Sequence, residues 1–156
     1  MSAPQYFEDV ALGAKRIMGS YTFAEDEMIR FAHKYDPQPF HTDPVAAKAG
    51  PFGGLVASGW HTVSVWMKLT IASRDTGGGG TLRAGVSPGF EDLRWLKPVR
   101  PGMTLTYSSE VIEKIDLKSR PEWGIVKSRN EARDADGELV MSFIGKGFVA
   151  KAPRPR

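Results

Sequence analysis

Four strand-like segments in succession, at residues 89–96, 104–115, 123–134 and 138–150, constrain this chain more than any other feature. The stretches between them, "KPVRPG", "DLKSRPE" and "DADG", carry the Pro, Gly and Asp residues that turn a chain. In the last segment Leu139, Met141, Phe143, Gly145, Gly147 and Val149 alternate with Val140, Ser142, Ile144, Lys146 and Phe148, so both faces hold apolar residues. A strand apolar on both faces belongs inside its sheet. The second half therefore predicts a long antiparallel meander.

The first half differs. One strand is expected near residues 15–22. Thr22 followed by Glu25 matches a capping box, and Met28, Ile29, Phe31, Ala32 and Tyr35 then recur at helical spacing, which predicts a helix over about 23–34. Asp43 and Pro44 start a further short turn at 45–49, with Gly50 suited to its left-handed end. A stronger helix begins near Ser58, with Trp60, Val63, Trp66, Met67, Thr70 and Ile71 on one stripe and Val65 and Leu69 on the other side. Apolar nearly all round, it is expected to be buried and to end at the "GGGG" of residues 77–80. Wrapping the meander around that helix gives an α+β class, with one domain over residues 1–150 and a basic, Pro-rich tail over 151–156.

Charge and composition remove several functions. The formal charge of +3 arises from Lys151, Arg154 and Arg156, so residues 1–150 are neutral and give no footprint for nucleic acid. With no cysteine, disulfides and thiolate chemistry are excluded. Three histidines without an HExxH spacing predict no metal site. "MSAPQYFEDV" lacks the pattern of a signal peptide, and the apolar run at 63–72 is too short and too interrupted to span a bilayer, so a soluble, cytoplasmic protein without a membrane partner is expected.

Two stretches concentrate the chemistry. In "YDPQPFH", Asp36 and His41 stand five residues apart around Pro37 and Pro39, in a segment read as stiff and non-helical. Five residues along a flat strand would send the two groups to opposite faces, so a fixed bend is needed to bring them together. With that bend they form a pair able to polarise one water; without it Asp36 is a turn residue and His41 a backbone-bonded histidine. His33 reads as a surface residue, and His61 as a space-filling one. In "GGLVASGWHT", the glycines lead into a helix N-terminus where Gly59 and its neighbours can hold an anionic oxygen, or they only permit a tight turn.

Together, "TFAEDEMIRFAHKYDPQPFHTDPVAA", "GGLVASGWHT" and "LRWLKPVRPGMTL" resemble the MaoC-like dehydratase family, which includes (R)-specific enoyl-CoA hydratases, across about residues 21–148. Asp36, Pro39 and His41 match the family's G-D-x-N-P-x-H motif, while Tyr35 replaces its glycine and Gln38 its asparagine. The resemblance implies a hot-dog fold, a homodimer or dimer of dimers, and a hydratase or dehydratase acting on an enoyl thioester carried by CoA, with no other cofactor. It also implies that Asp36 and His41 activate water. Gly59 looks like the glycine whose N–H faces the thioester oxygen, with Ser58 in place of a histidine and with Gln38 among the substrate-side residues. A thioesterase and a non-catalytic acyl-CoA binding module are the rival functions, the latter because of Tyr35 and Gln38. Trp60, Trp66, Met67, Phe52 and Phe90 are either an acyl tunnel or core, and Arg94, Lys97 and Arg100 either meet CoA phosphates or form a solvated edge.

Overall fold

The computed structural model describes residues 4–74 and 82–154. After a 3-10 turn at Phe7–Asp9, its strands and α-helices in chain order are β1 (Lys15–Thr22), α1 (Glu25–Tyr35), α2 (Pro39–Thr42), α3 (Pro44–Lys48), α4 (Gly59–Arg74), β2 (Gly89–Trp95), β3 (Thr104–Asp116), β4 (Trp123–Arg133) and β5 (Leu139–Ala150). Among the described residues the strands form one sheet in the order β1-β3-β4-β5-β2, antiparallel throughout. β5 is flanked on both sides, as its two apolar faces require.

The core lies between one face of the sheet and α4. Leu105 and Tyr107 of β3, Ala132 of β4, and Val140, Met141 and Phe143 of β5 pack with Val65 of α4, Phe23, and Met28 of α1. Polar anchors set the helix at a fixed height over the strands. Tyr107 donates its hydroxyl hydrogen bond to the Thr62 carbonyl at 2.9 Å, and the Trp66 indole N–H donates to Asn130 Oδ1 at 2.9 Å. Both anchors are buried or nearly so, where an unmatched donor would cost about 1–3 kcal/mol, so the register of α4 on the sheet is firmly specified.

Three local expectations are corrected. The capping box is not made: Ala24 occupies the cap position without a side-chain bond, and Thr22 Oγ1 instead pairs with Thr104 Oγ1 across β1 and β3. Residues after Pro37 are not wholly non-helical either. Pro39 takes the first position of α2, where its missing N–H costs nothing, and so seeds a helical turn instead of blocking one. The helix from Ser58 is not buried all round. His61, Thr62, Val65 and Thr70 face inward, but Trp60, Met67 and Ile71 are about half exposed, at 50%, 48% and 49%. That outer side lines an open groove of about 1140 Å³, lined elsewhere by Phe90 and Leu93 of β2 and by Met18 of β1. The expected helix end at "GGGG" lies outside the described residues. No helix among the described residues is long and apolar enough to cross a membrane.

Candidate active site

Asp36 and His41 converge because the two prolines act differently. Pro37 disfavours helical angles at Asp36, which closes α1 with φ −152° and ψ 68° and donates its N–H to the Ala32 carbonyl. The Gln38 N–H then reaches back to the Asp36 carbonyl at 2.8 Å, and Pro39 starts α2. His41, third residue of that helical turn, faces back across the bend. Its Nε2 lies 3.2 Å from Asp36 Oδ2, with the two side chains 9% and 17% exposed.

Each group is held by a further partner. His41 Nδ1 lies 2.7 Å from the Val56 carbonyl oxygen, which can only accept, so Nδ1 carries a proton and Nε2 is turned to Asp36. Asp36 Oδ1 accepts from the Gln38 side-chain amide at 2.7 Å, and Oδ2 accepts from the Ser58 hydroxyl at 2.7 Å. Burial pushes the Asp36 carboxyl up, but the Gln38 and Ser58 donors and the charge of His41 outweigh it, leaving the group below its ordinary value. Asp36 is therefore a carboxylate at neutral pH. Gln38 and Ser58, expected among the substrate-side groups, here both bond to the carboxylate.

Ser58 also links this pair to the start of α4. Its carbonyl accepts from the N–H groups of His61 at 3.0 Å and Thr62 at 3.4 Å, while those of Gly59 and Trp60 have no acceptor among the described residues. At a helix N-terminus such donors, together with the axial dipole, form a site for developing negative charge. Gly59 is thus placed one residue from the hydroxyl that touches Asp36. Its φ is negative, so backbone strain does not demand glycine; space does, since a Cβ there would lie 2.3 Å from the Trp95 ring.

The remaining candidates separate cleanly. His61 is buried and stacked on Phe31 at 4.6 Å, edge-on to Phe23 at 5.0 Å; its Nδ1 has no partner among the described residues, and burial pushes its imidazole below the ordinary value. It packs α1 against the first turn of α4 and stands apart from Asp36. His33 is exposed. Lys97 is held by Asp134 and Glu138, and Arg100 donates to the Phe52 carbonyl, so both are committed to the protein, whereas Arg94 is exposed. Of the aromatic candidates, Trp60 and Phe90 line the groove, together with Trp66 and Met67. Among the described residues no group of three or more His, Asp or Glu is placed to hold a metal. Two contacts of these residues escape sequence reasoning: the Val56 carbonyl on His41, since any residue offers one, and the Trp95 indole on the Gly59 carbonyl, visible only as the third letter of "LRW".

A family model described as "MaoC like domain" matches residues 10–132. The Bacillus subtilis (strain 168) protein YdeM, itself uncharacterized, is 32% identical over 78% of this chain and 86% of its own length. A crystal structure of a MaoC-like dehydratase from Rhodospirillum rubrum is 33% identical, covering 96% of this chain and 99% of the other, with a TM-score of 0.83. At 18% identity a Mycobacterium tuberculosis protein described as a double hotdog fold covers 98% of this chain, which spans 46% of that one, with a TM-score of 0.77. That similarity establishes the hot-dog fold for the sheet and α4.

Proposed function

The chain belongs to the MaoC-like domain family, and on that premise we propose that it is an (R)-specific enoyl-CoA hydratase, adding water across the 2,3 double bond of an enoyl thioester and removing it in reverse. The observation that carries this reading is the Asp36–His41 pair at 3.2 Å, one hydroxyl away from the N-terminus of α4. Hydration needs a base for water, a proton for the α-carbon, and donors for the oxygen that gains charge between those steps. A water held between Asp36 Oδ2 and His41 Nε2 loses its proton to the pair as its oxygen bonds to C3. The C2=C3 electrons move toward the thioester, and the oxygen, now enolate-like, is met by the Gly59 N–H. The proton held by the pair then goes to C2, which restores the carbonyl and the resting charges. The pair acts as one titrating unit throughout.

Hydration involves no net oxidation or reduction, so the reaction calls for water and the CoA thioester and for no redox cofactor. The half-exposed α4 side chains and the groove beside them favour a second copy of the chain as their cover, giving a homodimer; light scattering that returns a monomer mass would remove this point. Neutral, cysteine-free composition over residues 1–150 fits a cytoplasmic enzyme, which cell fractionation would test.

Purified protein is expected to bleach the enoyl absorbance of crotonyl-CoA or a longer trans-2-enoyl-CoA with no release of free thiol. Thiol release without bleaching would make it a thioesterase, and binding by calorimetry without either would make it a binding module. Ser58→Ala gives a finer test. Removing one of the donors that lower Asp36 raises its carboxyl, so the acid limb of the kcat/KM profile should move to higher pH, with the loss at neutral pH limited to about tenfold. An acid limb that stays in place would show that Asp36 is not the group titrating there.

A further inference from the structure

Trp95 is brought to the oxyanion site by an irregular strand. β2 shifts register against β5 between Glu91 and Arg94, and Asp92 inside that shift has φ +53°, a conformation a non-glycine residue adopts at a cost. Bulges of this kind re-aim the side chains that follow. After it, Trp95 pairs with Met141 and its indole reaches the first turn of α4. The indole N–H donates to the Gly59 carbonyl at 3.1 Å, across 36 residues of sequence, and the Thr62 hydroxyl donates to the same oxygen at 2.6 Å. The ring lies so close to Gly59 that no Cβ fits between them, and it meets Trp60 edge-on at 5.3 Å.

The Gly59 carbonyl and the Trp60 N–H belong to one peptide unit. Hydrogen bonds accepted at the oxygen of a peptide draw electron density from its nitrogen and strengthen its N–H as a donor. The preceding unit is treated alike, since the Ser58 carbonyl accepts two N–H groups and its partner across that peptide is the Gly59 N–H. Both donors that open α4 are therefore polarised from behind, the second by Trp95 and Thr62. A tryptophan that is still 46% exposed owes little of this placement to burial.

We infer that Trp95 is a positioning residue for the oxyanion site: it fixes and polarises the Gly59–Trp60 peptide so that the Trp60 N–H joins that of Gly59 on the thioester oxygen. The inference rests on the hydratase reading above and adds a residue to it. Trp95→Phe keeps most of the ring surface and removes only the indole N–H. It is expected to lower kcat for crotonyl-CoA about 3- to 10-fold, the equivalent of one hydrogen bond, with KM changed less than about twofold. It is also expected to shrink the red shift of bound cinnamoyl-CoA, whose absorbance reports how strongly its carbonyl is polarised. A change confined to KM or to the thermal midpoint, or an unchanged kcat and red shift, overturns the inference and makes Trp95 a packing residue. If the unsubstituted protein does not turn over crotonyl-CoA, the hydratase reading fails, and the red shift, which needs no turnover, still decides the role of Trp95. Absence of both turnover and a red shift in the unsubstituted protein overturns both.

Discussion

With Asp36 changed to asparagine, hydration of crotonyl-CoA is expected to fall by on the order of 10²–10⁴, the usual worth of a general base. The substitution is nearly isosteric, and the oxygen that accepts from Gln38 can stay in place. What changes is the atom facing Ser58 and His41 Nε2. An amide NH₂ there can neither accept from His41 Nε2 nor take a proton from water, and it leaves the Ser58 hydroxyl without its acceptor. Circular dichroism should be unchanged, because neither α1 nor α2 depends on the carboxylate for its backbone bonds. His41→Ala should cost a similar factor, and the double variant little more than either alone, since the two groups work as one unit. Additive losses would mean that the two act in separate steps, and retained turnover in either variant would place the chemistry elsewhere.

The pattern of strands and turns was legible because each segment between residues 89 and 150 carries its own local signal, and β5 announced its central place through two apolar faces. The meeting of Asp36 and His41 was legible only as one of two readings, because two prolines around Gln38 permit a fixed bend without requiring it. The manner of the bend was not legible. Proline reads first as a helix breaker, and only its position at the start of α2 shows that it opens a turn which aims His41 backward. The side of α4 that faces the groove was misjudged for a related reason. Apolar residues on every side say that all sides avoid water, and do not say whether the cover is this chain's own sheet or something else. Val56 and Trp95 touch His41 and Gly59 through a backbone carbonyl and through strand register, neither of which leaves a mark at the positions they reach.

Gly59→Ala is expected to reduce turnover by on the order of 10²–10³, the cost of losing an oxyanion donor. The mechanism is steric. The added methyl carbon would sit 2.3 Å from Cε2 of Trp95 and 2.6 Å from two more ring atoms, so either the indole swings away or the first turn of α4 shifts. Both movements spoil the alignment of the Gly59 N–H, and overpacking of this kind destabilises a fold by about 1–3 kcal/mol. Against it stands the better helix propensity of alanine, worth about 1 kcal/mol, and no positive φ opposes the change. The clash should therefore win in the parent chain and vanish once the indole is gone. In the double variant Gly59→Ala with Trp95→Ala, the thermal midpoint should equal or exceed that of Trp95→Ala alone, and turnover should climb back to that variant's level. A double variant that regains stability but remains inactive would show that the substrate, and not Trp95, needs the space beside Gly59. An unimpaired Gly59→Ala single variant would remove the helix N-terminus from the mechanism.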